Sequence, residues 1–286
     1  MSPALHRKEV PRFDLLAVDL DGTLLDSSRR IPPENRDALL RAHAARVRIA
    51  IVTGRRLPAA ESLLSGIGMD PLLVLNGGAL IKEGLRGPML HRRLLPMALG
   101  SEVLAAGRSA GMEPVIHDGP EGEGHLITET PRGNNRALAI YLEKSTPPPR
   151  YVTDLPGSLQ RDPVEIMFAD SVERVRWLET ELASRLGGRV HLARTEYAEQ
   201  NWSLLDVLAE GASKADALSF LAAGHGIPHQ RIMAIGDNWN DLGMLEACGL
   251  AVVMGNAAAG LRARGFETTA TNDEAGVARA IDRYLF

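Results

Sequence analysis

Three aspartates in this chain are spaced so that their carboxylates could bind a metal ion and act on a phosphate. Asp19 and Asp21 end an apolar run two residues apart, so in an extended strand their side chains point the same way. Crowded carboxylates repel each other unless a cation or a shared proton lies between them, and Asp237 adds a third acid. Hard oxygen ligands of this kind suit magnesium better than zinc. The pattern therefore predicts a magnesium site.

A hydroxyl, an open backbone amide and a lysine complete the set. Thr53 offers its side-chain oxygen, and Gly54 leaves its N–H accessible, so this pair can hold phosphate oxygens. Lys214 begins a predicted helix and brings positive charge for a phosphate and for the charge that develops in a transition state. These residues favour covalent catalysis by a carboxylate with the assistance of a Lewis acid.

Each chemically active segment follows a short apolar run that predicts a buried strand. The predicted strands alternate with helical patterns and lie at 13–21, 47–53, 72–75, 231–235 and 250–254. This alternation predicts an α/β fold with a doubly wound, mostly parallel sheet. Ligands of such sheets bind outside the carboxyl ends of the strands, so residues more than 200 positions apart are expected to meet in one crevice.

The middle of the chain has a different texture. From about residue 84, glycine and proline become frequent and the predicted strands are shorter and half-exposed. We predict an α/β core at 1–83 and 211–286 and an inserted α+β cap at 84–210, with an antiparallel sheet and helices on one face. Helices are expected at 97–110, 134–144 and 171–186. For His117 and Asp118 the alternatives are a position facing the substrate and a solvated turn, of which we favour the turn, and we interpret Trp202 as a packing residue.

Composition limits the classes of function. The chain has 286 residues, a net charge of −4 and one cysteine. A length of this kind suits two domains, and the charge lacks the basic footprint of a nucleic-acid binder. Cys248 alone allows neither an intrachain disulfide nor a cysteine metal site. The polar segment 1–11 lacks the apolar centre of a signal peptide, and no stretch is long enough for a membrane span, so a cytoplasmic protein is expected.

Four motifs, in this order, resemble those of the haloacid dehalogenase superfamily. They are Asp-Leu-Asp-Gly-Thr at 19–23, Val-Thr-Gly-Arg at 52–55, Ser-Lys at 213–214 and Gly-Asp-Asn-Trp-Asn-Asp at 236–241. The long insertion between the second and third motifs resembles a type IIB cap. The turns Asn-Gly-Gly at 76–78 and Met-Gly-Asn-Ala at 254–257 are similar to those of the Cof-type phosphatases, as is the segment 272–277.

The resemblance implies a role for each acid. Asp19 is the nucleophile that becomes phosphorylated. Asp21 protonates the leaving oxygen and then activates water. Magnesium is held by the Asp19 carboxylate, the Asp21 backbone carbonyl and the Asp237 carboxylate, and Asp241 supports the outer shell of the metal or Lys214.

It also implies which residues meet the substrate. Thr53, Gly54 and Lys214 bind the phosphate, with Asn240 close to it. Near the junction of core and cap, three further residues are placed within reach of the substrate, namely Arg55, Asn76 and Gly77.

The function that follows is hydrolysis of a small phosphomonoester through an aspartyl phosphate, with sugar phosphates as the leading class and nucleotides or cofactor phosphates still open. Three alternatives use the same residues. A phosphotransferase or mutase would pass the phosphate to a second hydroxyl. A phospho-aspartate receiver or a sugar-phosphate-binding regulator would bind without turnover. A glycosyl-phosphate phosphatase would share every motif and differ only in its cap pocket.

Overall fold

Two β-sheets and the helices around them make up the protein. The computed structural model describes residues 11–131 and 135–286. Within these ranges the strands are β1 (Leu15–Asp19), β2 (Arg48–Val52), β3 (Leu72–Leu75), β4 (Leu80–Glu83), β5 (Met89–Arg92), β6 (Pro114–Asp118), β7 (His125–Glu129), β8 (Arg150–Val152), β9 (Glu165–Asp170), β10 (Val190–Tyr197), β11 (Trp202–Ala209), β12 (Ile232–Gly236), β13 (Leu250–Val253) and β14 (Glu267–Thr268).

The helices cover the faces of both sheets. They are α1 (Pro33–Ala44), α2 (Leu57–Leu64), α3 (Met97–Ser109), α4 (Arg136–Glu143), α5 (Leu155–Ser158), α6 (Val172–Leu186), α7 (Lys214–Gly224), α8 (Leu242–Glu246), α9 (Ala259–Arg262) and α10 (Gly276–Ala280). In the described ranges every helix is too short or too polar to cross a membrane. The polar N-terminal segment lies outside the described residues up to position 10, and so does the first residue of the helix predicted at 134–144.

The larger sheet has eight strands in the order β14-β13-β12-β1-β2-β3-β4-β5. Strands β14 to β3 run parallel, and β4 and β5 extend the sheet as antiparallel strands. β1 lies at the centre, between β12 and β2. Its five residues are all buried, with Leu16 and Val18 in one apolar layer and Leu15 and Ala17 in the other. Burial of both faces explains the continuous apolar run and confirms the α/β class.

The smaller sheet has the order β10-β11-β9-β6-β7-β8 and is antiparallel except for the pair β7 and β8. α3 and α6 cover one face, where Ile166 and Phe168 are fully buried. The expectation of helices on one face only is wrong. α4 packs on the opposite face, because its apolar residues Leu138 and Leu142 cluster with Met167 of that face.

One strand of the larger sheet lies inside the range predicted for the cap. β5 pairs with β4 through Leu80 opposite Arg92 and Ile81 opposite His91. The chain therefore leaves the larger sheet after Arg92 and returns to it at β12, and the smaller sheet is formed entirely by residues between these points.

Candidate active site

Asp19 is the last residue of the central strand, and a tight turn follows it. The turn spans Leu20–Leu24 and is closed by the N–H of Leu25, which donates to the carbonyl of Leu20 at 2.9 Å. Gly22 has φ +76°, and a Cβ at this position would overlap the carboxylate of Asp237. Because β1 ends at Asp19, Asp21 lies in the turn and not in the same extended strand. The two carboxylates consequently meet different cations.

Lys214 is the cation of Asp19. Its Nζ lies 2.6 Å from Asp19 Oδ1 and 2.5 Å from Asp241 Oδ1, and all three residues are buried. α7 begins at Lys214 because Ser213 caps it: the Ser213 side chain accepts from the Asp216 N–H, and Asp216 accepts in return. Burial opposes a charged lysine, but Asp19 and Asp241 outweigh it and hold the pKa of Lys214 above its usual value.

The loop after β12 supplies two further acids. Asp241 Oδ2 accepts the backbone N–H groups of Asp237 and Asn238, both at 3.0 Å, and Thr23 donates to Asp237 Oδ1 at 2.8 Å. Burial, and then the charge of Asp241, raise the pKa of Asp237 to about 7. The same two causes hold the pKa of Asp19 well above its usual value. Both shifts indicate more buried negative charge than the neighbouring cation balances.

Three carboxylates can contribute oxygens to one cation. Asp19, Asp237 and Asp241 each have a ligand atom within 4.8 Å of the others. Both oxygens of Asp241 already accept from Lys214 or from backbone N–H groups, which suits a residue that supports the site from outside. The donor set is all oxygen and carries three carboxylates against one lysine, so it fits a hard divalent cation. The side chain of Asp21 lies outside this group. In the predicted ligand set Asp21 contributes only its backbone carbonyl, so its carboxylate has no place in the group.

Arg55 is the cation of Asp21. Its Nε and one terminal nitrogen lie 2.6 and 2.5 Å from the two oxygens of Asp21, in a bidentate pair. Arg55 follows the predicted phosphate-binding pair after β2, and its N–H donates to Thr53 Oγ1 at 3.1 Å. The loops after β2 and β3 are joined as well, because Gly77 N–H donates to the Thr53 carbonyl at 3.1 Å.

Asn76 and Asn240 reach the smaller sheet. Asn76 Nδ2 donates to Glu165 Oε1 at 2.9 Å, and Asn240 Nδ2 donates to Thr195 Oγ1 at 3.0 Å. Gly78 has φ +120°, and a Cβ there would overlap the carbonyl of Ser213. The turn after β3 therefore packs directly against the start of α7. All predicted site residues of the core lie along the carboxyl edge of the larger sheet, and these two asparagines link that edge to the smaller sheet.

Several residues beside the site were not predicted from the sequence. His117 is 2% exposed and lies in β6, so its interpretation as part of a solvated turn is wrong. Tyr197 stacks on Trp202 with ring centroids 4.7 Å apart, at the end of β10 next to the loop of Asp237. Glu165 and Asp206 are buried carboxylates of β9 and β11. In the sequence, Glu165 and Asp206 differ from their neighbours only in being charged residues inside apolar strand patterns.

Known proteins resemble this chain over nearly its whole length. Residues 16–281 match the family model of haloacid dehalogenase-like hydrolases. A curated relative, 5-amino-6-(5-phospho-D-ribitylamino)uracil phosphatase YwtE of Bacillus subtilis, is 28% identical over 285 residues and covers 94% of this chain and 97% of its own.

Two solved structures share the architecture. A haloacid dehalogenase-like hydrolase of Bacillus subtilis superposes with a TM-score of 0.80 at 25% identity, over 95% of this chain and 100% of the other. The subclass IIB sugar phosphatase BT4131 superposes with a TM-score of 0.77 at 21% identity, over 95% and 98% of the two chains, and supports the fold alone.

Proposed function

The chain belongs to the haloacid dehalogenase-like hydrolases and is a phosphatase of that family, and we propose that it hydrolyses a small phosphomonoester through a phosphorylated Asp19 with magnesium as its metal. One observation carries the proposal. Asp19 is buried at the carboxyl end of the central strand, 2.6 Å from Lys214, with Asp237 beside it. A nucleophile, a cation and an acidic metal site therefore share one crevice.

The metal would be held by the carboxylates of Asp19 and Asp237 and by the backbone carbonyl of Asp21. When bound, magnesium supplies positive charge that offsets the carboxylates and lets a phosphate dianion approach. Asp241 holds the loop of Asp237 through two backbone N–H groups and positions Lys214. Lys214 stays charged and binds a phosphate oxygen, together with the Thr53 hydroxyl and the Gly54 N–H.

In the first step, an oxygen of Asp19 attacks the phosphorus and the bond from phosphorus to the leaving oxygen breaks. The carboxyl of Asp21 gives its proton to that oxygen, so the alcohol leaves neutral. Asp21 must release Arg55 to do this, since both of its oxygens accept from that guanidinium. Arg55 then becomes free to pair with the phosphate.

In the second step, the Asp21 carboxylate removes a proton from water as the water oxygen attacks the phosphorus. The bond from phosphorus to Asp19 breaks, which regenerates the carboxylate and releases inorganic phosphate. A mutase would replace the water with a second hydroxyl of the substrate.

The smaller sheet would act as the cap that excludes water and selects the substrate. We propose a core at about 1–83 and 211–286 and a cap at about 84–210; β5, at the start of the cap range, pairs with the larger sheet. Asn76 and Asn240 hold the cap against the core in this structure. Sugar and polyol phosphates are the proposed substrates, a class supported by the phosphoribityl group in the name of the relative. Such metabolites would be met in the cytoplasm.

The test is phosphate release from a panel of sugar phosphates, nucleotides and cofactor phosphates, with magnesium and with EDTA. Release that needs magnesium and is lost in Asp19→Asn is the expected result. Transfer of the phosphate to another position of the substrate, without free phosphate, would contradict hydrolysis. Absence of release from every compound, in a folded protein that binds magnesium, would overturn the proposal.

A further inference from the structure

One face of the smaller sheet looks into the crevice. Glu165 of β9 is directly opposite His117 of β6, and Met167, two residues further along β9, is opposite Asp206 of β11. Because residues opposite each other or two apart share a face, these side chains lie on one side of the sheet. The bond from Asn76 to Glu165 shows that this side meets the core.

Asp206 lies beside the phosphate-binding pair. A Cβ on Gly54 would be 3.9 Å from Asp206 Oδ2, so this carboxylate faces the backbone on which the phosphate would rest. Asp206 is 8% exposed and accepts no hydrogen bond from any residue within the described ranges. Burial, and then the charge of Glu165, hold the pKa of Asp206 well above its usual value, against the opposing charge of Lys214. A carboxyl so placed lacks donors.

Glu165 is fully buried behind it. Its Oε1 accepts from Asn76 and pairs with His117, whose other ring nitrogen lies 3.0 Å from the hydroxyl of Tyr141. Its Oε2 has no hydrogen-bond partner in the described part of the chain. Buried carboxylate oxygens without donors are uncommon, because each costs free energy that a ligand can recover. The two acids thus present unsatisfied acceptors on one face.

We propose that Asp206 selects the leaving group of the substrate by binding its hydroxyl groups, and that Glu165 positions the side chains around it. This inference rests on the proposed phosphatase function. Asp206 faces the phosphate-binding backbone, so the hydroxyl groups on the carbons nearest the ester bond would lie on its side of the crevice. Glu165 is a positioning residue, since it acts through Asn76 and His117.

Hydroxyl groups fit this patch better than a hydrophobic or anionic leaving group. An apolar group would leave Asp206 without a donor, and an anionic leaving group would add repulsion to a site that already holds two acids. A sugar or polyol hydroxyl can donate to a carboxylate and accept from a neighbouring N–H or O–H. An ammonium group could donate to a carboxylate but could accept nothing in return.

The experiment compares two kinds of substrate, sugar phosphates and an aryl phosphate, in isosteric variants. We would measure kcat/KM for ribose 5-phosphate and glucose 6-phosphate, and for p-nitrophenyl phosphate, whose leaving group has no aliphatic hydroxyls. Asp206→Asn is expected to lower kcat/KM for the sugar phosphates about tenfold, the change for loss of one hydrogen bond. The value for p-nitrophenyl phosphate is expected to stay within about threefold. Glu165→Gln is expected to shift the same ratio less.

The matched control is Asp170→Asn, since Asp170 ends the same strand as Glu165 but pairs with Arg174 of α6. It should leave both substrates unchanged. An equal loss on both substrates in Asp206→Asn would overturn the inference, because it indicates a role in cap closure alone. An unchanged ratio would also overturn it, as would a preference for glucosamine 6-phosphate over glucose 6-phosphate that Asp206→Asn removes.

Calorimetry separates this inference from the function on which it rests. If the wild type releases no phosphate from any compound, the proposed function fails, but binding of ribose 5-phosphate can still be measured. Affinity that falls at least about tenfold in Asp206→Asn and not in Asp170→Asn would uphold the hydroxyl site. Equal affinities in all three proteins would remove it.

Discussion

The carboxyl edge of the larger sheet and the facing side of the smaller sheet are both acidic and buried, but they differ in how their charges are matched. In the core, Asp19 and Asp241 share Lys214, Asp21 has Arg55, and Asp237 accepts from Thr23. In the smaller sheet, Asp206 and one oxygen of Glu165 have no donors in the described ranges. The acids proposed for the chemistry thus have cations or donors, whereas the two acids proposed for recognition lack full sets of donors.

The contrast has an energetic meaning. When one partner of a buried ion pair is removed, the free energy of unfolding falls by roughly 3–5 kcal/mol. A buried carboxyl without donors already costs free energy, and its removal can stabilise a protein at the expense of function. Variants of the two regions should therefore differ in the sign of their effect on stability.

The largest effect is expected from Asp19→Asn. An amide cannot replace the nucleophilic carboxylate, so kcat for phosphate release should fall by ~10⁴-fold or more, measured with the best sugar phosphate of the panel. The variant should remain folded, because Lys214 keeps its pair with Asp241. Activity within tenfold of the wild type would contradict the covalent mechanism.

Lys214→Met should cause the largest loss of stability. It leaves Asp19 and Asp241 buried without their cation, and the free energy of unfolding should fall by about 3–5 kcal/mol in urea titrations. Arg231→Met is the control, since its pair with Asp14 is half-exposed and should change stability by less than about 1 kcal/mol. Similar losses in the two variants would contradict the matched-charge description of the core.

Asp237→Asn should weaken the metal site without disrupting the fold. The magnesium concentration for half-maximal activity is expected to rise about 10–100-fold, since one carboxylate ligand becomes neutral. Titration of phosphate release with MgCl2 measures the shift. Asp14→Asn, at the start of the same central sheet, serves as the matched change and should leave the magnesium dependence unaltered.

Gly22→Ala tests the turn that brings the aspartates together. A positive φ and overlap with the Asp237 carboxylate should cost about 1–3 kcal/mol of stability and raise the magnesium requirement. Gly66→Ala is the counterpart, because a Cβ there meets no atom within 4 Å. Thermal unfolding of both variants measures the difference. Equal stability of the two variants would contradict the prediction.

The smallest effect, of opposite sign, is expected from Asp206→Asn, which should stabilise the protein by about 1–2 kcal/mol at neutral pH. Burial, and then Glu165, raise the pKa of Asp206 above its ordinary 3.8, so the folded state keeps the proton where the unfolded state has lost it. The free energy of unfolding of the wild type should therefore fall as the pH rises from 3.8 through the raised pKa. In urea titrations at several pH values, the variant should lack this pH-dependent fall in the free energy of unfolding. A variant less stable than the wild type would contradict the prediction.

The core was predictable because its chemistry sits at strand ends. The apolar run before Asp19 and the run before Asp237 fix two strands, and parallel strands place their carboxyl ends at one edge. β4 and β5 were missed because charged residues interrupt their apolar pattern (Lys82 and Glu83 in β4, Arg92 in β5), so their extended conformation depends on pairing within the sheet. The placement of α4 was missed because a period in the sequence indicates an apolar face but not which side of a sheet will cover it.

The recognition residues were harder to predict for a physical reason. Glu165 and Asp206 interrupt apolar strands, and an isolated charge in such a strand is equally compatible with an exposed face. Only the register between β9 and β6 and between β9 and β11 places them together. That register depends on the whole sheet, so no local sequence motif predicts it.

The central position of β1 has a consequence for how the protein is made. Asp19 and Lys214 are 195 residues apart, and Thr23 and Asp237 are 214 apart. The ribosome adds residues from the N-terminus onward. β1 is therefore made long before its neighbour β12, and the entire smaller sheet emerges and can fold in the interval. Closing so long a loop is slow, and β1 exposes an apolar edge until then. The crevice is therefore among the last parts to form, and a chain truncated before α7 carries Asp19, the proposed nucleophile, without Lys214.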